Sequence, residues 1–136
     1  GPWLSGFIGI SSIAVGLVVI DPNLGYPPGS TPVLSWHGSI HNLCGPVLFG
    51  SLTAICFVFA GRFAGDGQKW WAVYSAASGA LVLLSFIACI VMAALKFSGA
   101  VTLHYSGLLE RISAMTGCVW VILFSVRLLK SPHRFR

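Results

Sequence analysis

Four long apolar runs, separated by polar or proline-rich stretches, set the outline of this chain. The first runs from Trp3 to Ile20 and stops at Asp21-Pro22. At 1.5 Å per residue it is just long enough to cross a hydrocarbon core of about 30 Å. The stretch Asp21 to Trp36 (DPNLGYPPGSTPVLSW) holds four prolines and two glycines and reads as a loop. A second apolar run follows over about 38–61, with Gly45-Pro46 inside it, a pair that predicts a kink near one end. Gly61 to Lys69 is a short polar turn, and a third run covers about 70–95, opening on Trp70-Trp71. After a loop from Lys96 to about Ser106, the fourth run covers about 107–129 and ends in a basic tail.

The pattern predicts an all-α polytopic membrane protein, residues 1–136 forming one four-transmembrane-helix bundle. Composition agrees. The chain is 56% hydrophobic and 8% charged, with a mean hydropathy of +0.87. A soluble domain carries about a quarter charged residues; this chain has too few to cover a globular surface, so lipid must be the solvent for much of it. The first run lacks the charged start and cleavage site of a signal peptide.

Charge then sets the expected orientation. Arg62, Lys69, Arg127, Lys130, Arg134 and Arg136 flank the second turn and the C-terminal end, while only Lys96 and Arg111 lie near the other two loops. Counting basic residues in this way puts the N-terminus and C-terminus in the cytoplasm and the proline-rich loop outside. The net charge of +5 does not mark a nucleic-acid binder, because the basic residues cluster at helix ends rather than along a polar face.

Small residues recur four apart at Ser5/Gly9, Ser12/Gly16 and Ser75/Gly79. Such ridges let helices approach closely in lipid. They are expected to pack within the bundle, with homo-oligomerisation through the first span as the other reading.

In so apolar a chain the polar residues near the membrane carry the functional information. They gather at the end expected to face outward: Asp21, His37, His41, Asn42, His104, Tyr105, Glu110 and Arg111. His37, His41 and Cys44 fall at i, i+4 and i+7, one face of a helix. Two imidazoles and a thiolate so spaced suit zinc or copper, and Asp21 or His104 can supply a further ligand. His41 with His104 is the pair for a haem near the outer surface. Asp21, His37 and His41 would equally make a metal-dependent hydrolase, although nothing assigns a substrate or general acid. Glu110 and Arg111 point about 100° apart on a helix and are poor partners for each other. Arg111 is expected to reach Asp21 or a lipid phosphate, and Glu110 a histidine or Lys96, as an ion-pair network or an anionic-headgroup site. Cys44, Cys56, Cys89 and Cys118 show no CxxC spacing, and the chain lacks a nucleophile elbow, P-loop or dinucleotide fingerprint.

The order V-V-I-D-P, G-Y-P-P-G, H-G-S-I-H-N, G-R-F and G-L-L-E-R-I resembles a bacterial membrane family known as domain of unknown function 998. The matching positions are Asp21, Pro22, His41, Gly107 and Arg111. The resemblance implies a helical membrane fold with no established activity, cofactor or partner. It also implies about six spans in a typical member, against four here. The expected function is therefore a small accessory or interaction subunit, or a lipid- or ligand-binding bundle, with its polar cluster (Asp21, His41, Glu110, Arg111) at the outer face. The rival is a metal- or haem-binding redox or hydrolytic protein built on His37, His41, Cys44 and His104. A transporter is disfavoured, because the first three spans carry no charge at mid-membrane. The expected partners are the lipid bilayer and other membrane subunits.

Overall fold

A computed structural model of the chain describes residues 2–18, 20–22, 27–31, 33–102 and 105–130. Four helices account for nearly all of them: α1 (Pro2–Leu17), α2 (Trp36–Gly65), α3 (Lys69–Phe97) and α4 (Ser106–Lys130). Three of these, α2, α3 and α4, are long and apolar enough to cross a membrane, and α1 is a shorter apolar helix. At 16 residues α1 spans about 24 Å. Its helical residues stop at Leu17, three short of the expected Ile20. By length and composition this is an integral membrane protein.

The helices pack in chain order, α1 on α2, α2 on α3 and α3 on α4, with α2 and α4 meeting less extensively. Two apolar clusters hold them together. Phe49, Leu52 and Val82 form one, with Ile8, Phe86 and Ala114 against it. Ile55, Cys56 and Trp120 form the other, with Leu4, Phe59, Tyr74 and Phe124. Elsewhere large side chains such as Leu84 and Ile122 lie on the surface, as expected where lipid is the surroundings.

In lipid, burial of apolar area does not drive helices together; close packing and hydrogen bonds do. The centre of the bundle shows both. Gly79 lets α3 close on α2, where a Cβ would meet Cys56 Cβ at 3.0 Å, and Gly117 lets α4 close on Leu52 at 2.8 Å. The buried Trp120 indole donates to Ser75 Oγ at 3.0 Å. Ser85 Oγ donates to Leu81 O at 2.5 Å and lies 2.7 Å from Ser113 Oγ across the α3–α4 seam.

The helix ends differ from the expected boundaries for a local reason. Gly61 does not end α2. The helix continues to Gly65 and closes on Gly67, which takes φ +71°. Gly67 N–H donates to Ala64 O and Gln68 N–H to Phe63 O, the paired bonds of a left-handed helix stop. Gly99 ends α3 in the same way, with Ala100 N–H on Leu95 O and Gly99 N–H on Lys96 O. α2 runs unbroken through Pro46.

Candidate functional site

At the end where α1 hands over to α2, Asp21 and Ser35 build a clip. Ser35 is the residue just before α2, and its hydroxyl accepts from Gly38 N–H at 3.2 Å, satisfying one of the amides a helix start leaves unpaired. Asp21 takes up the remaining donors of Ser35. The backbone N–H reaches Oδ2 at 2.6 Å, and the hydroxyl donates to Oδ1 at 2.6 Å. The Asp21 carboxyl is thereby held below its ordinary value, first by the Ser35 hydroxyl and then by the Ser35 amide. Burial pushes it the other way, and the neighbouring His37 ring helps to hold it down. Position 38 must be glycine for this to form, since a Cβ there would overlap the Asp21 carboxylate.

One turn further on, half-buried His41 points back at α1. Its Nδ1 lies 2.8 Å from Val18 O. A carbonyl can only accept, so Nδ1 carries the proton and donates. Asp21 and His41 thus tie the two sides of one joint, the chain leaving α1 and the first turns of α2.

The other expected site residues are placed elsewhere. His37 stacks on Trp36, ring centroids 3.6 Å apart. Arg111, on the second turn of α4, donates to Gly107 O at 3.2 Å, and Glu110 is exposed beside it. Among the described residues Arg111 forms no ion pair with Asp21, whose oxygens are spent on Ser35. Lys96 donates to Thr102 O at 2.7 Å. The four cysteines are free. No group of three His, Cys, Asp or Glu side chains among the described residues is arranged to hold a metal ion. The candidate ligand His104, and with it the His41–His104 haem pair, lies outside the described residues.

The family model described as "Protein of unknown function (DUF998)" matches residues 1–127. The chain belongs to the DUF998 family. No curated protein and no solved structure matches it.

The opposite end of this DUF998 chain carries an arrangement that sequence patterns did not reveal. Arg127, on the last turns of α4, lies over the Trp71 ring at 4.5 Å and the Phe63 ring at 5.1 Å. Its guanidinium also donates to Gln68 Oε1. One cation thus joins the end of α4 to the α2–α3 turn. Arg62 lies over Phe59 at 5.6 Å in a similar way. In the sequence Arg127 is one of several basic residues at a span end. Only the fold shows which rings it meets.

Beside Trp71, an open cleft of about 290 Å³ runs between α3 and α4, lined by Trp70, Trp71, Tyr74 and Leu123. Trp71 and Tyr74 meet edge to face at 5.7 Å, and Arg127 covers Trp71, so the cleft wall is held from several sides.

Proposed function

We propose that this DUF998 chain is a non-enzymatic accessory subunit of the bacterial plasma membrane that docks a partner membrane protein along α1. The observation that supports this is an open ridge. Leu4, Ile8 and Ser11 turn inward on α1. One position further round the helix, Ser5, Gly9, Ser12 and Gly16 form a continuous small-residue face that is exposed. A Cβ at Gly9 or Gly16 would meet nothing within 4 Å, whereas the comparable ridge positions Gly79 and Gly117 are filled by Cys56 and Leu52. Ser12 donates to Ile8 O at 2.7 Å, so the ridge presents little polar cost to a neighbouring helix.

In this reading Asp21 and His41 hold α1 at a fixed angle to α2, and Glu110 and Arg111 offer polar contacts at the outer end. Both termini lie in the cytoplasm, because the basic end then faces the anionic leaflet.

A photocrosslinking residue at Gly9, in native membranes, tests the reading. It should give one discrete adduct with another membrane protein, while the same probe at Leu84, exposed on α3, gives none. Gly9→Leu should abolish the adduct partner's co-purification and leave the thermal stability of the isolated chain unchanged. An adduct of twice the chain's own mass would make the partner a second copy. No adduct at Gly9 would leave α1 facing lipid alone and end the proposal.

A further inference from the structure

We infer that the cleft between α3 and α4 at the basic end is a binding site for an anionic phospholipid. It takes part of one acyl chain against Trp70, Tyr74 and Leu123, with the phosphate beside Lys69 and Lys130.

Three observations meet there. First, the cleft of about 290 Å³ is at the lower edge of ligand-pocket volumes, roughly 300–1,000 Å³. It therefore fits a segment of one chain rather than a whole lipid or a folded peptide. Its lining is aromatic and aliphatic, and Trp and Tyr are the side chains suited to the headgroup level, with an apolar body and a polar tip.

Second, the charge at this end is unbalanced. Arg62, Lys69, Arg127 and Lys130 stand against the single carboxylate Asp66, and Arg134 and Arg136 follow in sequence. At the other end Asp21 and Glu110 equal Lys96 and Arg111 in number, so among the described residues the surplus of positive charge lies at the basic end. Arg127 is engaged with Trp71, Phe63 and Gln68, whereas Lys69 and Lys130 are exposed.

Third, along α3 and α4 those two lysines lie on the basic-end side of the lining residues. Lys69 immediately precedes Trp70, and Lys130 lies seven residues after Leu123, on the same face of α4. An apolar groove with cations at its polar mouth complements a lipid that carries a net negative phosphate. A zwitterionic lipid offers the same chain without the net charge. This inference stands apart from the α1 partner: neither lysine nor the cleft belongs to α1.

The test is native mass spectrometry of the full chain, delipidated in detergent and offered equal amounts of phosphatidylglycerol and phosphatidylcholine with identical chains. Two basic side chains near the headgroup predict a preference for phosphatidylglycerol of about 10- to 30-fold. Lys69→Gln with Lys130→Gln should bring the two lipids close to parity. Trp70→Ala should reduce retention of both, and since Trp70 is 88% exposed the fold is retained in that variant. Equal retention by the unaltered chain would overturn the inference. So would a preference that survives both variants, or displacement of phosphatidylglycerol by inorganic phosphate at the same concentration.

Discussion

The two ends of the bundle handle charge in opposite ways. At the α1–α2 joint the protein supplies the partners itself: Asp21 accepts from Ser35 twice, and His41 donates to Val18 O. Nearby on α4, Arg111 folds back onto Gly107 O. At the basic end the cations outnumber the carboxylates. One of them, Arg127, is held by rings and an amide rather than by an acid. The joint is thus closed on itself electrostatically, while the basic end requires counter-charge from its surroundings. Polar residues at a membrane border therefore fall into two kinds, those that finish the fold and those that face outward from it.

The strongest way to break this contrast is Gly38→Leu. The new side chain displaces the Asp21 carboxylate and with it the Ser35 clip. Overpacking of this kind costs about 1–3 kcal/mol, read as a lowered Tm in detergent. Leucine at Gly9, which meets nothing, is the matched control with no change. An unchanged Tm in Gly38→Leu would show that Asp21 does not close the start of α2.

A smaller effect comes from pH. Since the Asp21 carboxyl titrates below its ordinary value of 3.8, its contribution to stability is complete above that value. It is lost as pH falls through the lowered one. The unaltered chain should lose a stability increment in mild acid below about pH 4, and Asp21→Asn should show a flatter curve with lower stability at pH 7. Identical acid curves would mean that the carboxylate's charge is not used at the joint.

Much of the architecture was legible in the sequence because its signals are local. Long apolar runs give helices whatever they pack against, and the proline-rich segment cannot be one. The end of α2 was misplaced because two glycines compete nearby. Gly61 fits inside a helix, and only the left-handed φ of Gly67 shows which one stops it. The small-residue ridges could not be sorted by pattern. Ser75/Gly79 packs inside the bundle as expected, whereas Ser5/Gly9 and Ser12/Gly16 lie open. Lipid tails are as apolar as a neighbouring helix, so periodicity does not distinguish the two. The i, i+4, i+7 spacing of His37, His41 and Cys44 was equally visible, yet the groups that occupy the two imidazoles are Trp36 and a carbonyl 23 residues away. Arg127 meets Gln68 across 59 residues, beyond the reach of any local motif.

The proposed orientation, with the basic end on the anionic, cytoplasmic side, is tested directly by the accessibility of single thiols. In a background without the native cysteines, Gly65→Cys marks the basic end and Ser98→Cys the other, both exposed positions. A membrane-impermeant thiol reagent should label Ser98→Cys in intact cells and reach Gly65→Cys only after permeabilisation. The reverse pattern would place the surplus cations outside the cell and contradict the account.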